Sequence, residues 1–86
     1  MEYIVVAFRS RTHTVRFSEY LRNLGINNEI VNTPKEAGVG CGLSVKISTS
    51  VYPQVKLAIR NADLKSYAGS FLVKVVKGGK TVRNAF

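Results

Sequence analysis

The apolar run Tyr3–Phe8 constrains the fold more than any other stretch of this 86-residue chain. The run is rich in β-branched side chains and carries no charge, which is typical of a strand inside a sheet that is covered on at least one face. It is far shorter than the ~20 residues that a membrane-spanning helix needs. We therefore predict that Tyr3–Phe8 is a central strand with a neighbouring strand on each side.

A helix is predicted directly after this strand. Ser10 or Thr12 is suited to cap its first turn, because a hydroxyl oxygen accepts hydrogen bonds from first-turn amides. Gly25 favours the left-handed conformation that follows a helix end, so the helix is predicted to end at Leu24. Its buried stripe consists of bulky side chains at helical spacing: Phe17, Tyr20, Leu21 and Leu24.

The rest of the chain predicts three more strands and one more helix. Strands are expected at Asn28–Thr33, at Ser70–Lys77, and at Leu43–Ser48, where apolar and polar residues alternate. The second helix is expected to start between Ser50 and Pro53. Its stripe again has helical spacing: Val55, Ala58, Ile59 and Ala62.

This β-α-β-β-α-β order predicts an α+β fold of the ferredoxin-like class. Four strands would form one antiparallel sheet with two helices on one face. Right-handed crossovers would place the first and third strands side by side at the sheet centre. Residues 1–77 are predicted to form a single domain, and residues 78–86 a basic C-terminal tail with partial disorder.

The same topology predicts where the only cysteine lies. Cys41 opens the third strand, so it is expected at the end of the first strand and beside the start of the first helix. Glycines surround it in Gly38-Val39-Gly40-Cys41-Gly42, which leaves backbone amides open. The polar residues expected beside it are Arg9, Ser10, Arg11, Thr12 and His13.

A cysteine in such surroundings is suited to reaction as a thiolate, because cations, open amides and a helix start all stabilise negative charge on sulfur. The groups expected to do so are Arg9, Arg11, Lys35 and the amides of Gly40 and Gly42. A packed cysteine without chemistry is the alternative interpretation. His13 is a candidate general base toward Cys41, as in a Cys-His pair, although a lone histidine at a helix start is more often simply solvated.

Several other kinds of site do not fit the spacing. One cysteine excludes a thioredoxin-like pair, and Ile47 stands six positions after Cys41, where a phosphatase loop needs arginine. His13 and Cys41 alone do not make a zinc site, so we predict no metal and no cofactor. With no carboxylate pair and no Ser-His-Asp set, a stand-alone enzyme is not expected.

The charge balance predicts an anionic partner. The chain has a net charge of +8 and an isoelectric point near 10.1, which attracts nucleic acid, acidic proteins or small anions. The basic residues are scattered, so solvated faces and strand edges explain them equally well. A single free thiol and the lack of a signal-peptide pattern favour a cytoplasmic protein with no membrane contact. Because the core of so short a chain is small, a homodimer interface is a further expectation.

The motifs around the cysteine resemble those of a family of small bacterial proteins described as selenium or sulfur carrier-like. The similar stretches are Thr33-Pro34-Lys35 and Gly40-Cys41-Gly42-Leu43-Ser44. A strand that ends in an aromatic residue, a Ser/Thr-rich turn and a helical glutamate complete the pattern, at Phe8, Ser10–Thr12 and Glu19. The resemblance covers most of residues 3–76. It implies that Cys41 is the functional thiol, carries sulfur or selenium as a persulfide or selenide adduct, and exchanges it with donor and acceptor proteins.

Two alternatives belong to other classes of function. A basic nucleic-acid-binding module uses the same architecture, but it needs aromatic side chains on the first and third strands, and the third strand has none. The other alternative is a small-ligand or dimerisation domain in which Cys41 has no chemistry and the glycine-rich loop is a clamp or an interface turn.

Overall fold

The computed structural model describes residues 1–85, and these form an α+β structure with two helices and a five-stranded antiparallel sheet. Two short 3₁₀ turns, Lys35–Ala37 and Thr49–Val51, lie in the connections on either side of the third strand. The regular elements in chain order are β1 (Glu2–Phe8), α1 (Arg11–Asn23), β2 (Glu29–Asn32), β3 (Leu43–Ile47), α2 (Tyr52–Ala62), β4 (Tyr67–Val76) and β5 (Gly79–Asn84).

Strand β1 lies at the centre of the sheet, whose strand order is β2-β3-β1-β4-β5. Both neighbours pair with it antiparallel, with Val6 opposite Val45 of β3 and opposite Ser70 of β4. Val5 and Val6 point to opposite faces of the sheet, and each is 0% exposed. The prediction of a central strand is confirmed, and β1 is covered on both faces.

Both helices cover the same face of β1. Phe17 and Leu21 of α1 and Val55 of α2 pack in one cluster with Val6 and Phe8. The Phe8 and Phe17 rings lie 5.2 Å apart, centroid to centroid, at 54°. The apolar stripes predicted from helical spacing therefore face the sheet, except that Leu24 at the end of the first stripe is 54% exposed. No helix within residues 1–85 has the length and apolar character needed to span a membrane.

Sequence signals fix the two ends of α1. The Ser10 side chain accepts a hydrogen bond from the His13 amide at 3.2 Å, so Ser10 is the N-cap. Leu24 is the C-cap, and Gly25 follows with a φ of +79°. This left-handed residue turns the chain toward β2, as the sequence predicted.

The glycine-rich loop covers the face of the sheet that carries no helix. Ala37 and Val39 pack against Val5, Ala7 and Phe71 in a second apolar cluster. The 3₁₀ turn at Lys35–Ala37 also contacts β5, so the loop crosses the sheet before it returns to β3. The loop thus fills the place that a third layer of helices would fill in a larger protein.

The prediction of four strands is wrong, because residues Gly79–Asn84 of the predicted tail form a fifth strand. It pairs antiparallel with β4, and Gly78 makes the connecting turn with a φ of +89°. Val82, which lies opposite Val73, is the one bulky apolar residue of β5. The strand therefore has no alternation of apolar and polar residues by which the sequence could reveal it. Phe86, the last residue of the predicted tail, lies outside the described residues.

Matched leucine substitutions test the assignment of the helix-covered core. Leu21→Ala should lower the free energy of unfolding by about 2–5 kcal/mol, because Leu21 is 0% exposed and its loss leaves a cavity. Leu57→Ala on α2 is the control, since that side chain is 57% exposed and should change stability by less than about 0.5 kcal/mol. Urea unfolding followed by circular dichroism measures both, and equal losses would contradict the packing described.

Candidate functional site

Cys41 is fastened to the end of the central strand. Its amide donates a hydrogen bond to the carbonyl oxygen of Phe8 at 2.9 Å. One residue further on, the Gly42 carbonyl accepts a bond from the Thr33 amide, also at 2.9 Å. These two bonds hold the loop closed between β2 and β3 and place Cys41 where the topology predicted it, beside β1 and the start of α1.

Gly40 permits this close approach. Its φ is +94°, and a Cβ atom added there would lie 3.2 Å from the Phe8 carbonyl oxygen and 3.5 Å from the Ala7 Cβ. Gly42 has a similar φ of +96°, but a Cβ on it would meet no atom within 4 Å. A side chain at Gly40 would therefore displace the Phe8 carbonyl, which accepts the hydrogen bond from the Cys41 amide. A side chain at Gly42 would meet no neighbouring atom, and its cost would come from the positive φ alone.

The amides of the two glycines are open. Neither the Gly40 nor the Gly42 N–H donates to a group of residues 1–85. A depression next to them is bounded by the loop itself, and its lining residues are Thr33, Pro34, Lys35, Gly38, Val39, Gly40 and Gly42. Three of the predicted site residues thus share one surface.

The thiol of Cys41 is half-buried and free, and within residues 1–85 it makes two polar contacts. Its Sγ lies 3.7 Å from the Thr14 hydroxyl and 3.7 Å from the carbonyl oxygen of Leu43. Thr14 Oγ1 donates its own proton to the Ser10 carbonyl oxygen at 3.1 Å, so it is an acceptor toward sulfur. The Thr14 oxygen and the Leu43 carbonyl oxygen can therefore each accept a hydrogen bond from the thiol.

His13 is turned toward a serine of the loop before β4. Its Nδ1 lies 2.6 Å from Ser66 Oγ, and the same serine's carbonyl oxygen accepts from the Arg9 amide at 2.8 Å. No hydrogen bond joins His13 to Cys41 within residues 1–85. The structure therefore gives His13 a bond that fixes the start of α1 against β4, and it does not bring the proposed Cys-His pair together.

The other predicted residues make no direct hydrogen bond to the thiol within residues 1–85. Arg9, Arg11 and Thr12 are exposed at the start of α1, and no hydrogen bond connects them to Cys41 within the described chain. Lys35 is exposed in the 3₁₀ turn that contacts β5. Ser10 is linked to the thiol indirectly, through its carbonyl oxygen and Thr14.

Sequence reasoning missed two residues of this site. Thr14 is 0% exposed and touches the sulfur, and its position three residues before Phe17 continues the buried stripe of α1. That spacing was a usable signal. Ser66 precedes β4, whose start pairs with Phe8, so the antiparallel topology also places it at this end of the sheet.

The match to a known protein family shows which family the chain belongs to. The model of the family described as "Putative Se/S carrier protein-like" matches residues 2–68. The chain belongs to this family. Neither a curated protein nor a solved structure matches the chain. The match to the Se/S carrier-like family includes β1, α1 and the whole Cys41 loop, and it ends inside β4, before β5 begins.

Paired alanine substitutions in the loop of this Se/S carrier-like protein test how Cys41 is held. Both Gly40→Ala and Gly42→Ala force a side chain into a positive φ, at a cost of about 1–2 kcal/mol. Gly40→Ala should destabilise more and should also raise the rate at which Cys41 is alkylated, because it displaces the Phe8 carbonyl and loosens the loop. Urea unfolding and iodoacetamide modification measure these effects. Identical behaviour of the two variants would argue that Gly40 has no special contact.

Proposed function

We propose that this protein carries a sulfur or selenium atom on Cys41, which it receives from a donor protein and passes to an acceptor. The observation that carries the proposal is that the only thiol of the chain is held half-exposed at the end of β1, inside the region matched by the Se/S carrier-like family. The hydrogen bond from the Cys41 amide to the Phe8 carbonyl supports it by fixing the backbone at the thiol.

The loading step needs no external oxidant. The Cys41 thiolate attacks the outer sulfur of a donor persulfide, R–S–SH, and a new sulfur–sulfur bond forms as the donor's bond breaks. The donor leaves as the thiol R–SH after taking up the proton that Cys41 released, and Cys41 becomes Cys–S–SH. A donor of the form R–S–SeH delivers selenium in the same way. Release to an acceptor thiol is the reverse exchange.

Thr14 is the residue that has to respond when Cys41 loses its proton. In the structure its hydroxyl proton is directed to the Ser10 carbonyl, and its oxygen faces the sulfur. Rotation of that hydroxyl by one rotamer well would turn the proton toward a thiolate, and the Ser10 carbonyl still accepts from the Thr14 amide at 3.0 Å. Thr14 is therefore proposed as a positioning residue that supports the charged form.

The remaining predicted residues are proposed to supply positive potential. The exposed Arg9 and Arg11 flank the start of α1, whose first amides have no acceptor inside the helix. The open amides of Gly40 and Gly42, with Lys35 on the same depression, offer a second source. Ser10 and His13 hold the first turn in place, His13 through its bond to Ser66, and Thr12 lies exposed in the same turn.

Nucleic-acid binding through the sheet is supported less well. That mode needs exposed aromatic rings on the helix-free face. On that face Phe71 is buried, and the half-buried Tyr3 ring is covered by Lys46, whose Nζ lies 4.5 Å from the ring centroid. The Val39 side of the loop occupies the area where bases would stack.

Mass spectrometry of the loaded protein tests the carrier function. After incubation with a low-molecular-weight persulfide, the intact protein should gain the mass of one sulfur atom, and a cyanide wash should remove it as thiocyanate. Cys41→Ser is the matched control and should gain nothing, because the chain has no other cysteine. Slow alkylation of Cys41 that requires urea, together with no sulfur gain, would contradict the proposal.

A second set of variants tests Thr14. Thr14→Val keeps the shape of the side chain but cannot donate to a thiolate, so alkylation of Cys41 at neutral pH should slow by about tenfold, the value of one hydrogen bond to a charged group. Thr14→Ser should keep the wild-type rate. Thr12→Val is the control in the same turn, because Thr12 is exposed. An unchanged rate in Thr14→Val would show that the hydroxyl has no part in the reaction.

A further inference from the structure

The β4–β5 hairpin gives the sheet a free edge. No strand within residues 1–85 pairs with the outer side of β5. The Ala85 amide donates to the Ser70 carbonyl of β4 at 2.9 Å, and backbone groups of alternate residues face opposite sides of an antiparallel strand. Arg83 and Thr81 therefore bond inward to β4. The N–H and C=O groups that face the open edge belong to Lys80, Val82 and Asn84.

The hairpin also concentrates positive charge, and none of its cations forms an ion pair within residues 1–85. Its cations are Lys74, Lys77, Lys80 and Arg83, and within residues 1–85 the ion pairs are Lys46–Glu29 and Lys65–Asp63. Glu2 stands opposite Lys74 in the β1–β4 register, but the two form no ion pair. Cations on an exposed hairpin attract carboxylates more than they stabilise the fold.

Apolar surface accompanies this charge. Val75 and Val76 are each 42% exposed, and Val82 is half-buried on the helix-free face. On the other face a shallow groove of about 370 Å³ runs between the two strands, lined by Leu72, Lys74, Val76, Thr81 and Arg83. The edge thus presents backbone groups, cations and valines together, which are the three features that strand addition uses.

We infer that β5 is the docking edge for an extended acidic segment of a partner protein, which adds to the sheet as a sixth strand. Lys80 and Arg83 point to opposite faces, so the segment needs a carboxylate opposite each of them, three residues apart. Val82 lies between them and takes an apolar side chain. Read from its N-terminus, the preferred antiparallel segment is therefore acidic, apolar, any residue, acidic. Its first residue lies opposite Arg83 and its last residue opposite Lys80.

Charge and composition select this occupant over two others. A second copy of the chain would bring another net charge of +8 to the same edge, and that repulsion opposes pairing of β5 with itself. Residues 74–84 contain no aromatic side chain on which a base could stack, so a nucleic acid would find phosphate attraction alone. The edge lies outside the matched residues 2–68 and does not include Cys41, so the inference stands apart from the carrier function.

Amide hydrogen exchange on the full chain tests the inference with single-residue resolution. The probe is a capped peptide whose centre reads Glu-Val-Thr-Glu, and its control replaces both glutamates by glutamine. The acidic peptide should slow exchange at the outward-facing amides of Lys80, Val82 and Asn84. Amides already bonded to β4, those of Thr81 and Arg83, should change little. Binding should weaken as salt rises.

Charge-reversal variants complete the test. Lys80→Glu/Arg83→Glu should weaken peptide binding at least tenfold, whereas Lys56→Glu/Arg60→Glu, the same change on the exposed side of α2, should leave it within about twofold. Val82→Pro removes an outward N–H without breaking a bond to β4 and should also abolish the protection. Three outcomes overturn the inference: no protection of the β5 edge, the same protection without peptide as protein concentration rises, or salt-sensitive binding of single-stranded RNA that displaces the peptide.

Discussion

The rest of the structure depends on the burial of β1 on both faces. A strand of Ile, Val, Ala and Phe residues has no polar side that could face water, so each face requires its own cover. The two helices supply one cover, and no helix within residues 1–85 lies on the other face. The Cys41 loop takes that place, with Ala37 and Val39 packed on the helix-free face. The position of the thiol is therefore a consequence of packing, because the loop that carries Cys41 has to return across β1.

Because the loop has to cover β1, it is rich in glycine and is also attached to the end of β1 by a backbone hydrogen bond. The loop has to cross the sheet, contact β5 and then enter β3 within a few residues, so it passes through left-handed conformations at Gly38, Gly40 and Gly42. Only Gly40 is also crowded, by the Phe8 carbonyl. The same glycines leave two amides without acceptors in the described chain, next to a thiol that is fixed by its own amide. The glycines that let the loop pack against the sheet are therefore the same ones that leave backbone amides open beside Cys41.

The sequence predicted those parts of the molecule that local periodicity determines. The stripe of Phe17 and Leu21, the helix end at Gly25 and the alternation of β3 all follow from spacings of a few residues, and the order of these elements was enough to place Cys41 beside β1. The fifth strand was missed because Val82 is its only buried-side apolar residue, and its pairing with β4 is the main signal. The bond between His13 and Ser66 joins residues 53 positions apart, and no local pattern reports it.

The hydrogen bonds at sulfur bear on when Cys41 would react. Two polar neighbours of Sγ within residues 1–85, the Thr14 hydroxyl and the Leu43 carbonyl oxygen, can accept a hydrogen bond from the thiol. In the proposed carrier, such contacts would matter because the thiolate is the form of cysteine most open to oxidation. An approaching donor that removes the proton, or an anionic group that draws Arg9 and Arg11 toward the loop, would favour the thiolate at the moment of contact. In this proposal the Thr14 hydroxyl controls how well the charged form of Cys41 is supported. Water cannot take the place of this hydroxyl, because Thr14 is 0% exposed.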